Sequence, residues 1–255
     1  MSAAKTKNFI KFLGTAGARF VTISQMRASG GIWVSYEWTS ILIGPGPGSL
    51  VKCLKAKLDP AGLDAIIVTH AHIDHCNDLN IMIEAMTHGG SQKRGSVFLP
   101  ADMLSTQSIL LDYFRELPLA VTSFKEKGLY KIEAVDFETP VKHIHLVETY
   151  GLKFIFGKKS VSLIVDTKYF DGLIECYKAD ILIINTVFIE PVPTANHLSL
   201  REAAQMISRI NPQEAYLTHF GRDIIKNNPD TLAADISRQS GIKIIAAKDG
   251  MEISL

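Results

Sequence analysis

The run Thr69-His70-Ala71-His72-Ile73-Asp74-His75 places three histidines and one aspartate within seven consecutive residues. Neutral imidazoles and carboxylates are the ligands that zinc and similar divalent ions prefer. A hydrophobic core has little use for such a group, because each buried polar side chain needs a partner. The chain has only eight histidines in 255 residues, so chance clustering in a solvated loop explains the run poorly. The run therefore indicates a metal site.

The composition is that of an ordinary globular protein. Apolar residues make up 47% of the chain, charged residues 21%, and the net charge is +1, which argues against a general nucleic-acid binder with a strong basic excess. We expect one domain over residues 1–255. Residues 1–11 lack the apolar stretch of a secretory signal, and the apolar run at 181–189 is too short to span a bilayer. These features predict a cytoplasmic protein.

Short apolar runs bounded by turn residues predict strands, and longer periodic segments between them predict helices. The predicted strands are Phe9–Leu13, Gly31–Val34, Ser40–Ile43, Ala65–Thr69, Ser96–Leu99, Leu152–Phe156, Ser160–Val165, Ile181–Asn185, Ala215–Thr218 and Lys243–Ala246. The predicted helices are Leu79–Met86, Leu200–Ile210, with a capping box formed by Ser199 and Glu202, and Pro229–Gln239. This mixture indicates an α/β fold with helices outside the sheets.

Three of the predicted strands end at residues that could bind a metal. His70 follows one buried strand, Asp166 follows the run Ile164-Val165, and His219 follows Ala215–Thr218. Strand ends on a rigid sheet are where α/β proteins place ligand-binding groups. We therefore expect these three side chains to contribute to one site.

The run from His70 to His75 resembles the His-x-His-x-Asp-His signature of the metallo-β-lactamase fold superfamily. The segments Phe12–Ala18 and Ala246–Ile253 are similar to the branch that contains tRNA 3′-processing nucleases (tRNase Z) and phosphoribosyl cyclic phosphodiesterases. The resemblance covers nearly the whole chain. It implies a four-layer αβ/βα sandwich, with two mixed β-sheets flanked by helices and the metals at one edge.

The same resemblance implies a dinuclear metal site. One ion would be bound by His70, His72 and His145, the other by Asp74, His75 and His219, with Asp166 bridging both. His145 is favoured as the third histidine because Gly151 follows it by six residues, as in the family, and His143 is the alternative. The expected cofactors are two divalent ions, Zn²⁺ first, with Mn²⁺ or Fe²⁺ as alternatives.

Gly44 departs from the family pattern, which has an aspartate at this position. Loss of a carboxylate that supports the ligands weakens metal affinity by roughly 10–100-fold. The run Ile43-Gly44-Pro45-Gly46 therefore predicts a site that is built differently or binds metal less tightly.

The resemblance implies a hydrolase that uses a metal-bridged hydroxide, most directly on a small cyclic or nucleotide-like phosphodiester. Asp74 would orient the nucleophilic water, and His197, in Asn196-His197-Leu198-Ser199, would protonate the leaving group. The alternatives are a lactonase or amidohydrolase acting on a carbonyl, and a metal-binding member without catalysis. The expected partner is a small phosphoester, ahead of nucleic acid, with no membrane partner; a homodimer is compatible with the sequence.

Overall fold

The strands alternate apolar side chains between two faces, and this alternation builds four layers. The computed structural model describes residues 7–255, so residues 1–6 of the segment expected to lack a signal lie outside the described residues. Ile41 and Ile43 point into the core between the two sheets, whereas Leu42 points outward toward helices. On the other sheet, Ile183 points into the core between the sheets and Leu182 points outward toward helices. Successive residues of a strand face opposite sides, so a strand buried on both faces needs apolar residues throughout.

Fourteen strands are present in residues 7–255. In chain order they are β1 Phe9–Phe12, β2 Ile32–Tyr36, β3 Thr39–Ile43, β4 Ala65–Ile67, β5 Ser96–Leu99, β6 Ala120–Ser123, β7 Gly128–Ile132, β8 Val135–Thr139, β9 Leu152–Phe156, β10 Lys159–Ile164, β11 Ile181–Asn185, β12 Glu214–Thr218, β13 Lys243–Ala246 and β14 Glu252–Ser254.

The strands form two mixed sheets of seven strands each within the described chain. The first has the order β14-β1-β2-β3-β4-β5-β6 and the second the order β13-β12-β11-β10-β9-β8-β7. From β3 to β6, and again from β10 to β13, neighbouring strands are parallel, while the other pairs in each sheet are antiparallel. The parallel halves bring several strand ends to a common edge.

Helices cover the outer face of each sheet. They are α1 Ala18–Ser24, α2 Ser49–Lys55, α3 Ile73–Cys76, α4 Leu79–Met86, α5 Asp112–Arg115, α6 Gly172–Cys176, α7 Leu200–Ile210, α8 Arg222–Lys226 and α9 Pro229–Ser240. Short 3₁₀ turns occur at Pro60–Gly62 and Ala101–Leu104. Met82 and Met86 of α4 pack on the first sheet, and Met206 and Ile207 of α7 pack on the second. The predicted αβ/βα sandwich of two mixed β-sheets flanked by helices is confirmed.

The capping box predicted for α7 is present. The Glu202 amide donates to the Ser199 hydroxyl at 3.2 Å, and the Glu202 carboxylate accepts from the Ser199 amide at 2.8 Å. Two free N–H groups at the helix start are thereby satisfied, which fixes where the chain enters α7.

Strands β6, β7 and β8 were not predicted from the sequence. No residue of β6 is fully buried. Strands β7 and β8 are buried only in part and carry charged residues on their exposed positions, including Lys131 and Asp136. Glu133, with a positive φ of 48°, lies in the turn between them, where asparagine or glycine is the usual signal. Within residues 7–255, no helix combines the length and the apolar character that crossing a bilayer requires.

Candidate metal centre

The parallel strands deliver the predicted ligands to one edge of the molecule. His70 lies three residues beyond the end of β4, Asp166 lies two residues beyond β10, and His219 follows β12 directly. All three side chains are buried. The carboxyl ends of parallel strands meet at the same edge, so residues far apart in sequence converge there.

The candidate ligands fall into two groups. In each, one ligand atom from every member lies within 4.8 Å of the others; the first group is His70, His72, His145 and Asp166, and the second is Asp74, His75 and His219. His75 Nε2 lies 3.0 Å from His219 Nε2, and His145 Nε2 lies 3.1 Å from His72 Nδ1. The seven residues predicted as ligands are thus brought together.

Asp166 lies between the two groups. Its Oδ2 is 3.6 Å from Nε2 of His70 in the first group and 3.6 Å from Nε2 of His75 in the second. Its Oδ1 lies 3.4 Å from His219 Nδ1. This position is where a carboxylate shared by two ions would have to be.

His219 is held in an unusual backbone conformation. Its φ is 58°, in the left-handed region that non-glycine residues seldom adopt. Gly17 packs against it so closely that a Cβ at position 17 would lie 1.9 Å from the His219 carbonyl oxygen. Such strain collects at functional sites, where the surrounding structure holds it in place.

The structure separates the two rival histidines. His145 lies in the first ligand group, whereas His143 is buried and its Nε2 lies 2.8 Å from the Tyr177 hydroxyl. The other nitrogen of His143, Nδ1, lies 3.3 Å from the Asp166 backbone carbonyl oxygen. Both nitrogens of His143 therefore face protein groups, which leaves His145 as the histidine of this loop that can contribute to the ligand group.

Several residues that orient the ligands were missed in the sequence. Thr69 Oγ1 lies 3.1 Å from His70 Nδ1, the Asn196 carbonyl oxygen lies 2.8 Å from His145 Nδ1, and Asn185 donates to Asp166 Oδ1 at 2.9 Å. Contacts of this kind fix the tautomer and direction of a metal-binding imidazole. Asn185 could have been predicted from the sequence, because it is the one polar residue of a buried strand and lies at the end of that strand.

Burial keeps the first group of histidines neutral. It lowers the pKa of His70 and of His72 below the ordinary histidine value, and it lowers the pKa of His145 to about 4. Neutral imidazoles have the free lone pair that metal binding requires. At neutral pH this group is ready to bind a cation without first releasing protons.

The second group is more strongly polarised by carboxylates. Burial alone would lower the pKa of His75, but the nearby charges of Asp74 and Asp166 raise it above its usual value. Burial opposes ionisation of Asp74 as well, yet His75 and a hydrogen bond from His219 hold the pKa of this carboxyl below its usual range. A negative charge is thus retained beside these imidazoles.

The residues fit divalent ions. Among the described residues, the buried atoms His70 Nε2 and His219 Nδ1 have no hydrogen-bond partner, and both lie near Asp166 Oδ. Buried polar atoms are rarely left in this state without an ion or other unseen partner. Imidazoles with carboxylates, and no thiolate, suit Zn²⁺, Mn²⁺ or Fe²⁺.

Gly44 borders the second group. A Cβ built at this position would lie 3.6 Å from His75 Nδ1, which makes no hydrogen bond to any residue in the range 7–255. A cavity of about 50 Å³ lies here, lined in part by Gly44, Asp74, His75 and Thr218. The carboxylate expected from the family pattern is therefore replaced by space, as the sequence indicated.

His197 lies beside the candidate ligands. Its Nδ1 is 3.5 Å from Asp166 Oδ2, and its ring centroid is 5.1 Å from that of His145. Burial lowers the pKa of His197, although the Asp166 charge opposes this effect. With His72, Asp74 and His145, it lines a cleft of about 930 Å³.

Comparisons with known proteins identify the fold family. Residues 39–220 match the family model described as "Beta-lactamase superfamily domain". The protein MJ1374 of Methanocaldococcus jannaschii is 30% identical over 96% of this chain and 94% of its own length. The fold resembles the crystal structure of the metallo-β-lactamase fold protein YhfI from Bacillus subtilis, with a TM-score of 0.82, 21% identity and coverage of 98% of this chain and 100% of that one.

A second solved structure, a diphosphatase from the PhnP family, gives a TM-score of 0.74 at 19% identity, covering 98% of each chain. At such identities the structural likeness shows the fold alone. The family match spans more than half of the chain, and a full-length relative reaches 30% identity. The ligand groups at the sheet edge, the sandwich and these matches together show that the chain belongs to the metallo-β-lactamase fold superfamily of metallo-hydrolases.

Proposed function

We propose that this protein is a metal-dependent phosphodiester hydrolase that binds two divalent ions, with Zn²⁺ the first candidate. The observation that carries the proposal is the position of Asp166, within 3.6 Å of nitrogens from both ligand groups and 3.5 Å from His197. When bound, ions at these groups would lower the pKa of a water molecule and neutralise charge on a phosphoryl oxygen. Mn²⁺ and Fe²⁺ suit the same ligands.

Phosphorus rather than carbon is favoured as the reacting centre for two reasons. The segment Phe12–Ala18 and the segment around His197 resemble those of the branch that contains phosphoribosyl cyclic phosphodiesterases. A diphosphatase from the PhnP family also has the same fold over nearly its whole length. A small phosphoester remains the expected substrate, since the net charge of +1 gives little attraction for a polyanion.

In this proposal Asp74 positions the attacking water. Its carboxylate is ionised at neutral pH and lies 3.3 Å from His219 Nε2. An ionised carboxylate accepts hydrogen bonds only, so it turns the water's lone pair away from itself and toward phosphorus. The water gives up one proton to bulk solvent, which bound cations would favour by lowering its pKa, and its oxygen forms the new bond to phosphorus as the bond to the leaving oxygen breaks.

His197 supplies the proton for the leaving oxygen. Its Nδ1 faces Asp166, so Nε2 is the nitrogen assigned to the substrate. The substrate's negative charge favours the protonated imidazole and offsets the effect of burial on its pKa. The proton moves from Nε2 to the departing alkoxide, and the products are a phosphomonoester and an alcohol.

The test measures hydrolysis by the metal-loaded protein of two substrates, one whose leaving group needs a proton and one whose leaving group does not. We expect hydrolysis of bis(p-nitrophenyl) phosphate and of at least one 2′,3′-cyclic nucleotide. His197→Ala should lower kcat on the cyclic nucleotide by about 10²–10⁴-fold, the usual range for general acid catalysis. It should lower kcat on the nitrophenyl ester far less, because nitrophenolate leaves without a proton. His88→Ala, at an exposed histidine in the turn after α4, is the matched control.

Three outcomes would contradict the proposal. Equal losses on both substrates would remove His197 from the acid role. Turnover of a lactone or amide panel without any phosphoester turnover would establish the carbonyl alternative. Binding of fewer than one ion per chain after reconstitution would favour a member of the fold without catalysis.

A further inference from the structure

The cleft above the candidate metal centre is larger than a phosphoryl group needs. Its volume is about 930 Å³. Pockets for small ligands usually measure about 300–1,000 Å³, so this one has room for a substituent well beyond the reacting phosphorus. The shape and chemistry of its walls therefore bear on what the substrate carries.

One side of the cleft exposes large apolar side chains, and we name these four residues the apolar wall. They are Phe20, Ile23, Ile73 and Leu146, which are 69%, 72%, 57% and 71% exposed. They come from three separate segments: helix α1, the first residue of α3, and the loop just after His145. Side chains from three segments that line one cavity form a single surface, not isolated exposed residues.

Leaving this surface in water is unfavourable. Burial of aliphatic and aromatic side chains of this size against an apolar group is favourable, because it removes their surface from water. Contiguous apolar patches on monomers mark binding sites more often than single exposed residues do. Ile73 and Leu146 follow the candidate ligands His72 and His145 in sequence and line the same cleft, so this wall borders the space that a molecule at the metal centre would enter.

Positive charge lies on the same side of the cleft. Arg19 and Arg222 line the same cleft as His72 and His145, together with the carboxylate of Asp223. The Arg222 guanidinium carbon lies 5.8 Å from the centroid of the Phe20 ring, a cation–π arrangement that orders both side chains. The cleft thus combines two guanidinium groups, the candidate metal ligands and an apolar surface, a combination that matches an anion with an apolar substituent.

We infer that the cleft selects phosphodiesters whose non-leaving substituent is apolar and of aryl size, seated against the apolar wall while the phosphoryl group faces His72, His145 and Arg19. This inference rests on the proposed function and specifies the substrate class of the same site. Exposed apolar residues such as Trp38 and Leu129 line neither this cleft nor the small cavity at Gly44, so they provide controls.

The experiment holds the leaving group constant. Methyl p-nitrophenyl phosphate and phenyl p-nitrophenyl phosphate release the same nitrophenolate, so differences in rate report on the other substituent. We expect kcat/KM to favour the phenyl ester by about tenfold or more, mostly through KM, as one buried aryl group would give. Phe20→Ala should remove most of this preference, whereas Trp38→Ala should leave it unchanged.

A binding measurement keeps the inference separate from turnover. Calorimetric titration of the metal-loaded protein with diphenyl phosphate and with dimethyl phosphate should show the diphenyl compound binding at least tenfold more tightly, with the difference lost in Phe20→Ala. If neither nitrophenyl ester is cleaved but this difference is present, the proposed function fails and the apolar subsite stands.

Several results would overturn the inference. Equal kcat/KM for the methyl and phenyl esters, together with equal affinity for the two phosphates, would do so while leaving phosphodiester hydrolysis intact. A preference that persists in both Phe20→Ala and Leu146→Ala would place the substituent elsewhere. If hexyl p-nitrophenyl phosphate has the same kcat/KM as the phenyl ester, and Phe20→Ala does not change that value, the cleft selects a flexible chain and not an aryl group.

Discussion

One aspartate lies at each end of the parallel strands β10, β11 and β12: Asp166 at the carboxyl ends and Asp180 at the amino ends. The two carboxylates differ in the hydrogen bonds that they accept. At the carboxyl ends, Asp166 accepts a hydrogen bond from Asn185, and the other polar groups around its carboxylate within residues 7–255 are imidazole nitrogens at 3.4–3.6 Å. At the amino ends, Asp180 accepts from the Ser160 amide at 2.8 Å, the Ser160 hydroxyl at 2.6 Å and the Gln213 side chain at 2.9 Å.

The difference lies in how far protein donors satisfy each carboxylate. A carboxylate offers about four acceptor sites, and protein donors occupy most of those on Asp180. Asp166 is more deeply buried yet less satisfied, and its pKa is held far below the usual range: burial would raise that pKa, but His219 and His197, and then His75, outweigh it. An ionised, buried and under-bonded carboxylate among histidines has the properties of a metal ligand.

The largest expected effect is on metal binding when the Asp166 charge is removed. Asp166→Asn keeps the shape and can still accept from Asn185, but it removes the anion that lies near both groups. We expect metal affinity to fall by more than about 100-fold, beyond the range seen for groups that only support ligands. Chelator competition measures the affinity, and circular dichroism verifies the fold.

Asp180→Asn is the matched control at the other end of the same strands. Its metal affinity should equal that of the wild type, since no candidate ligand contacts Asp180 among the described residues. Equal losses in the two variants would mean that general destabilisation, rather than the position of the carboxylate, governs metal binding.

A gain of affinity is expected where the site lacks a support. Gly44→Asp would place a carboxylate within reach of His75 Nδ1, because a Cβ at this position lies 3.6 Å from that atom. The φ of Gly44 is +64°, a conformation that aspartate tolerates better than most residues. Metal affinity should rise by roughly 10–100-fold, the reverse of removing such a group.

Gly44→Ala isolates the strain from the charge, because it adds the same Cβ without a carboxylate. It should bind metal no more tightly than the wild type in the same chelator competition. If both variants weaken binding equally, backbone strain dominates and the empty space beside His75 has no bearing on metal affinity.

How far the sequence predicts this molecule depends on whether the signal is local. Strand β11 is apolar throughout and was found with its observed bounds, because both of its faces are buried. Strands β7 and β8 alternate with charge and join at Glu133, so neither a buried run nor a glycine turn marks them. Helix α1 has seven residues and no side-chain cap, so its start carries no signal either.

The candidate site follows the same rule. Four of the candidate ligands lie within the run from His70 to His75. The ends of buried strands indicated two more, Asp166 and His219. The spacing to Gly151 favoured His145 over His143, but the reason that His143 is set apart, its contact with Tyr177 more than thirty residues away, has no local signal. The apolar wall required α1 and the loop after His145 to meet across the cleft, which no local pattern encodes.

The smallest expected effect concerns the stability that Asp180 provides. Hydrogen bonds from Ser160 lower the pKa of the Asp180 carboxyl. A carboxyl whose pKa is lower in the folded than in the unfolded chain stabilises the fold at pH values above the unfolded value, about 3.9. At neutral pH, Asp180→Asn should lower the free energy of unfolding by about 1 kcal/mol, the usual net worth of a hydrogen bond at a partly exposed site.

The pH dependence distinguishes this charge effect from a loss of packing. As pH falls from about 5 through 4 and toward the lower folded pKa, Asp180 binds a proton and its stabilising effect disappears. The difference in unfolding free energy between the wild type and Asp180→Asn, measured in urea at each pH, should therefore be constant above about pH 5 and shrink below pH 4. Other carboxyls titrate alike in both proteins and cancel in this difference. A gap that stays constant down to pH 3 would assign the loss to hydrogen-bond geometry alone, and the charge of Asp180 would then have no part in joining β10 to β12.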